Sequence, residues 1–318
     1  MSDIQTQAWR HRIILARDIE VAEDRSAFFK RVRDRELVRL YRGVYISAEA
    51  WQGLDRHDRY RARIIAAAHY APPGLVFSHH SAAALWRLPS VGPWPEKAHV
   101  LVPVAAGGRS DSMFVRHTVG VPDSVWSIDG LSVTSLARTV VDLASIFSFG
   151  QAVSIADAAL HRNEHPVDGV PRTFLTRDEL HRELERVPMR HGSARARRAI
   201  DFADGAADRP GESMSRVSIR AAGLTMPQLQ VPLRGASGRI WTVDFWWPEF
   251  SHIGEFDGRD KYVNPEFLRG RTPEEAVYDE KLREDDLREA GHGMSRWPWA
   301  VAISPQLIRA KLVAAGIR

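Results

Sequence analysis

The chain contains no cysteine, which excludes disulfides, thiolate zinc sites and cysteine nucleophiles. Any metal must therefore be held by carboxylate oxygens or imidazole nitrogens. Long apolar runs are missing too. No stretch approaches the roughly 18 residues that a bilayer-spanning helix needs, and the opening MSDIQTQAWRHR lacks the apolar block of a secretory signal. These absences predict a cytoplasmic protein with no membrane partner. An excess of either charge is nearly absent as well: 44 Lys and Arg against 40 Asp and Glu leave a formal charge of +4, too small to define a partner by itself. What is present, 44% hydrophobic and 26% charged residues over 318 positions, is the composition of a folded globular chain with room for about two domains.

The small positive excess is unevenly placed. From Pro210 onward basic and acidic residues balance at 15 each, so all of it lies earlier. The densest stretch holds Lys30, Arg31, Arg33, Arg35, Arg39 and Arg42 against Asp34 and Glu36. Such a cluster is either a phosphate footprint or a solvated helix face. Spacing predicts short helices over residues 13–24 and 26–35, the second capped by Ser26. Short strands over 37–40 and 44–46 follow, around a tight Tyr41-Arg42-Gly43 turn. Helices followed by a basic hairpin form the pattern of a winged helix-turn-helix, here residues 1–50. In that arrangement the second helix enters the major groove while Arg39 and Arg42 reach phosphates or the minor groove. A purely structural subdomain fits the same pattern.

Residues 51–203 read as mixed α and β, with helical spacing over 56–70, 81–87, 135–146, 151–162, 178–187 and 193–202, and strands over 99–104 and 113–117. Small, acidic, Gly and Pro residues in DFADGAADRPG, 201–211, mark the domain junction. Ser78, His79, His80 and Ser81 invite a catalytic or metal reading. Adjacent histidines on an extended segment point to opposite sides, however, and make a poor chelate. A helix cap from serine and local hydrogen bonds from the histidines account for them without chemistry.

Three segments in this half, RDRELVRLYRGVYI (33–46), SHHSAAALWRLP (78–89) and GLSVTSLARTVVDLA (130–144), resemble in order the AbiEi family, antitoxins of a bacterial abortive-infection toxin–antitoxin system. The resemblance implies an N-terminal winged helix that binds DNA, often to repress its own promoter, followed by an α/β antitoxin-type region. A toxin protein is the partner it suggests.

The C-terminal part, 211–318, carries the chemistry. A helix over 212–222 presents Met214, Val217 and Ala221 on one side, has Glu212 in its first turn and stops at Gly223. Strands are predicted over 228–233, 240–247 and 252–257, with Val243, Phe245 and Trp247 on a core face opposite Asp244 and Trp246. If Pro248 to Ser251 form the loop, Trp247 pairs with His252 and Asp244 lies opposite Glu255. Asp257 falls on the same face, so three acids converge with no arginine interleaved. Like charges directly opposed are destabilising. One compensation is magnesium, which takes carboxylate oxygens and keeps its own water. The other is an exposed acidic face screened by solvent.

The segments GESMSRVSIRAAGL (211–224), PQLQV (227–231), VDFWWPE (243–249), GEFDGRDKY (254–262) and YDEKLREDDLREAG (278–291) are similar to bacterial domains related to the very-short-patch repair endonucleases of the PD-(D/E)XK nuclease superfamily. The resemblance places Glu212 at the helix acid, Asp244 at the strand acid and Glu255 at the acid of the E-X-K element. Asp257 stands where that superfamily has its lysine. Asp257 is then another metal ligand, or Lys261 brings an ammonium group from a few residues on. Lys281 and Arg283, on the late helix, are candidates for scissile-phosphate contacts or ordinary surface residues. The expectation is a mixed α/β, DNA-binding hydrolase: a winged helix-turn-helix (1–50), an AbiEi-like region (51–203) and a magnesium-dependent endonuclease domain (211–318). A non-catalytic regulator or antitoxin that keeps a nuclease-like scaffold is the alternative.

Overall fold

The computed structural model describes residues 13–103, 108–120, 122, 124–187, 191–258 and 272–318. It is a mixed α/β protein whose chain groups into two units, residues 1–147 with 162–201, and residues 148–161 with 202–318. The second unit thus takes in a segment that precedes the junction expected at 201–211.

The first unit opens with β1 (Ile13–Leu15), α1 (Ala22–Arg33) and the hairpin of β2 (Leu37–Tyr41) and β3 (Val44–Ser47), in the sheet order β1-β3-β2. The helix expected over 13–24 does not form. Its apolar, β-branched start pairs with β3, Ile13 opposite Ile46 and Leu15 opposite Val44, where such side chains fit a pleated surface. Ser26 lies inside α1, which starts after Val21 with no side-chain cap. The hairpin is as expected, and Gly43 supplies its positive φ of 79°. Phe28, Leu37 and Tyr45 form the local core.

Beyond α2 (Ala48–Gln52) and α3 (Arg56–Ala68), the unit is built on five strands: β4 (Val76–Phe77), β5 (Ala98–Leu101), β6 (Phe114–His117), β7 (Trp126–Ile128) and β8 (Leu131–Val133). Their order is β6-β5-β4-β8-β7. The β7–β8 hairpin was not anticipated, although Asp129-Gly130, with φ of 58° and 77°, is the dipeptide such a turn requires. Helices α4 (His79–Leu85) and α5 (Leu136–Ile146) pack together. After α6 (Phe149–His161), which lies in the second unit, α7 (Arg177–Arg186) and α8 (Ser193–Phe202) complete the helical side.

In the second unit α6 packs on α9 (Pro210–Ala221). An antiparallel meander of β9 (Gln228–Arg234), β10 (Ile240–Trp247) and β11 (His252–Phe256) follows. Then α10 (Pro273–Glu289) carries the chain to β12 (Gly293–Trp297), parallel to β11, and α11 (Trp299–Ala302) and α12 (Pro305–Ala314) end it. The sheet order is β12-β11-β10-β9, an αβββαβ succession from α9 to β12. Both of its faces are covered, so all five residues of β11 are buried. One core gathers Ile219, Phe245, Trp247, Phe256, Trp297, Ile308 and Leu312. The other gathers Val243, Ile253, Leu287 and Met294. The expected common face of Val243, Phe245 and Trp247 is therefore split: β10 changes its facing between Val243 and Phe245, at Asp244. Across the ladder the partners of Val243 and Phe245 are Val231 and Leu229, and Gln230 between them has φ +49°, which interrupts the pleat. Gly254 has no room for a side chain, since a Cβ there would lie 2.5 Å from Trp297 and 2.9 Å from Trp247.

Candidate functional site

The register between β10 and β11 is the expected one, Trp247 opposite His252 and Phe245 opposite Gly254. One step further on, at Asp244 and Glu255, the side chain takes over: Asp244 Oδ2 accepts the Phe256 N–H at 2.9 Å. Asp244 is thereby fixed beside the strand that carries Glu255. From α9, the Glu212 carboxylate reaches the same place, buried, with Oε2 accepting from the Asp208 N–H at 3.0 Å and from Gln230 Nε2 at 3.1 Å. Burial pushes its pKa well above the usual carboxylate range, and the charge of Asp244 pushes it further. The two donors oppose that shift without cancelling it.

Glu255 is almost fully buried and does not face its neighbours unneutralised. Arg283 of α10 grips it with both arms of the guanidinium, Nη2 to Oε1 at 2.7 Å and Nη1 to Oε2 at 3.2 Å. The same guanidinium donates to the Thr242 carbonyl at 2.6 Å and to Glu280 at 3.2 Å. Burial works against its charge, yet Glu255, Glu280 and Asp244 outweigh burial and hold its pKa above the ordinary arginine value. The absence of an interleaved arginine is thus corrected: the cation comes from a helix distant in sequence, which strand spacing could not reveal. A chain of alternating charges continues outward, Glu280 to Arg296 at 2.7 Å and Glu284 to Arg288 at 2.9 Å.

Asp257 stands just past the end of β11, its N–H bonded to the Trp297 carbonyl at 2.9 Å, its Oδ1 buried without a hydrogen-bond partner. Among the described residues no three histidine or carboxylate groups are gathered so that they could hold a metal. Asp244 and Glu255 offer two carboxylates on the neighbouring strands β10 and β11. That matches the one or two carboxylates with which magnesium is usually held, its other positions being water or phosphate. Lys261 lies outside the described residues. Lys281 is exposed on α10, whereas Arg283 is turned inward to Glu255.

Lys30, Arg31 and Arg33 of α1, then Arg35, Arg39 and Arg42, are all exposed. Arg31 is tied to Glu36 at 3.1 Å. Phe29, on the same helix, is 56% exposed.

A second polar cluster, also in the first unit, was missed at the sequence level. His79 and His80 are the first residues of α4 and not part of an extended segment, and Ser78 makes no capping bond. Instead Ser78 Oγ lies 3.0 Å from His79 Nδ1. The His79 ring stacks on His117 with 3.6 Å between centroids, and His117 Nε2 meets His99 Nδ1 at 3.0 Å. His80 packs on His99. His99 on β5 and His117 on β6 carry no local signal that links them, and only the sheet pairing joins them. Burial lowers all four, His80 and His117 to about 4 and His99 to about 3. Nearby Asp142 is held by Arg138 at 2.8 Å.

Among the described residues no helix is long and apolar enough to cross a membrane. No protein-family model matches the chain. It is similar to two Mycobacterium tuberculosis proteins, Uncharacterized protein MT2308 of strain CDC 1551 and Uncharacterized protein Rv2248 of strain H37Rv. Each is 28% identical over 242 residues, covering 76% of this chain and 81% of the relative.

Proposed function

We propose that the protein binds DNA through its first unit and hydrolyses phosphodiester bonds with magnesium in its second, as a cytoplasmic nuclease of the PD-(D/E)XK kind joined to an AbiEi-like winged-helix region. The observation that carries this reading is that Asp244, bonded to the β11 backbone next to Glu255, also acts electrostatically on the buried Glu212, on an αβββαβ unit. Asp244 and Glu255 would hold the metal. Bound there, magnesium would supply an acidified water and neutralise charge on the phosphate. Glu212 keeps a proton to higher pH than an ordinary glutamate, which lessens repulsion beside Asp244. The buried, partnerless Oδ1 of Asp257 is an acceptor able to orient a water where the superfamily has its lysine. Lys281 presents an ammonium group to a phosphate. In the first unit, the exposed cations of α1 and the hairpin supply sequence-independent affinity, and the β1-β3-β2 order with α1 before the hairpin supports a winged-helix docking mode. Phage defence, with a toxin protein as partner, is the setting this combination suggests.

A second reading has its own support. The fork of Arg283 on Glu255 and the aspartate at position 257 also suit a regulator or antitoxin that retains the nuclease scaffold without its chemistry. Incubation with supercoiled plasmid and magnesium separates the two. The parent should nick or cut, and Glu255→Gln and Asp244→Asn should bind DNA without cutting. Equal residual cutting by all three would leave the regulator reading in place.

A further inference from the structure

We infer that the β9–β10 hairpin is a duplex-binding arm of the second unit, in which Arg234 and Arg239 take backbone phosphates and lead the DNA toward Asp244. The inference rests on the nuclease reading and adds to it the path of the substrate. Between Glu212 and Asp244 the sequence holds four arginines and no acid. Two of the four are structural: Arg216 is paired with Asp157 at 2.8 Å, and Arg220 lies over the Phe202 ring. The other two, Arg234 and Arg239, are exposed at either end of the turn. Asp286 of α10 braces that turn. Its carboxylate accepts the Ser237 N–H and the Trp241 indole N–H, each at 2.7 Å, and the Ser237 hydroxyl at 2.9 Å, while its carbonyl accepts the Ala236 N–H at 3.1 Å. A side chain at Gly235 would run into the same carboxylate. The two cations are set in place as well. Arg239 lies over the Trp241 ring, 4.0 Å from its centroid, and Arg234 gives one N–H to the Gly238 carbonyl at 3.1 Å. A guanidinium carries five donors, so one such bond leaves a fork for a phosphate, and a side chain already ordered loses less freedom on binding. The hairpin also points somewhere. Arg234 pairs with Ile240 and Pro232 with Thr242, and all four are exposed, an uncovered strip of the sheet. The next two positions along it, Gln230 and Asp244, both act on Glu212, Gln230 through a bond of 3.1 Å and Asp244 through its charge. Four residues of strand from Ile240 to Asp244 cover about 13 Å, the axial length of roughly four base pairs.

The test follows binding of a fluorescent 20-base-pair duplex to the full chain by anisotropy, without magnesium, over a series of salt concentrations. It is run in the parent and again in the Arg39→Glu, Arg42→Glu background, where the contribution expected from the first unit is reduced. Arg234→Gln with Arg239→Gln should weaken binding about tenfold at low salt and make the salt slope shallower by about 1.8, two contacts at about 0.9 each. Lys311→Gln, which removes an exposed cation from α12, should leave the slope where it was. Asp286→Asn keeps both cations but loosens the turn, and should weaken binding several-fold at an unchanged slope. Parent affinity and slope in the double glutamine variant, in both backgrounds, would overturn the arm, as would an equal change of slope in Lys311→Gln. Because the readout is binding, the nuclease reading is judged separately. Cutting by the parent that Glu255→Gln abolishes would uphold that reading even if the arm fails, and loss of slope without any cutting would uphold the arm as a DNA contact on a scaffold that does not cut.

Discussion

Each unit buries a cluster of ionisable side chains, and the two clusters answer the same physical problem with opposite charges. In the first unit the groups are imidazoles: His79, His80, His99 and His117. In the second they are carboxylates, Glu212, Asp244 and Glu255, the last paired with Arg283. Burial disfavours charge in both, so it lowers the histidines and raises Glu212. Each unit also holds one buried Arg–Asp pair, Arg138–Asp142 and Arg216–Asp157, both at 2.8 Å. In both pairs burial raises the aspartate to about 6. The lesson is that neutral imidazoles can remain crowded without help, because losing a proton removes their charge at neutral pH. Carboxylates at the same pH need a proton, an arginine or a metal.

The largest expected effect is on activity. Asp244→Asn and Glu255→Gln should reduce DNA cutting to background while the same substitution at Asp142, Asp142→Asn, leaves cutting by the folded protein in place. Loss of cutting in the Asp142 variant, at full folding, would break the division of labour between the two clusters.

Next come the buried ion pairs. Asp142→Ala and Asp157→Ala each strand a buried guanidinium, and each should cost about 3–5 kcal/mol in urea unfolding. A much smaller loss at Asp142 would sharpen the contrast, since it would mean that Arg138, which also bonds the Val119 and Gly120 carbonyls at 3.0 Å, is adequately satisfied without its carboxylate.

Acid should divide the units. A histidine with a lowered folded pKa binds protons more readily when unfolded, so its contribution to stability is present above the unfolded value near 6.5 and is lost as pH falls toward the folded values of about 4 and 3. The raised carboxylates have the reverse sign: Asp142 and Asp157 take up a proton in the folded state from about pH 6 downward, before they do when unfolded, and gain stability toward pH 4. Four histidines outnumber Asp142 in the first unit, so hydrogen exchange followed from pH 7 to 4.5 should show it losing protection before the second, by a few kcal/mol. His117→Phe keeps a ring on His79 and should flatten that loss. Earlier opening of the second unit would reverse the comparison.

The smallest effect concerns DNA affinity. Arg39→Glu with Arg42→Glu should weaken binding to every duplex by roughly tenfold at low salt and make the salt dependence shallower, since each lost phosphate contact removes about 0.9 from the slope. Unchanged affinity would move the DNA interface away from the hairpin.

Much of the second unit was legible before the structure. The β10–β11 register followed from loop length alone, and α9 from its helical spacing and the stop at Gly223. Segments whose signal lies in partners far along the chain were not: β1, called helical, becomes a strand only because β3 offers an edge. The elements after residue 291 acquire meaning only in the core where Trp297, Ile308 and Leu312 meet Phe245.

By itself, then, the sequence determined which residues could do chemistry: the acids at 212, 244, 255 and 257, the cations at 30–42, and the lack of any thiol. Those follow from residue type and from periods of two and 3.6, which act over a few neighbours. Only the tertiary structure decided which charges meet. Arg283 is 28 residues from Glu255 and His117 is 18 from His99, and no local period links such positions. Sheet order and a helix crossover bring them into contact, where burial makes each encounter far stronger than it would be in water.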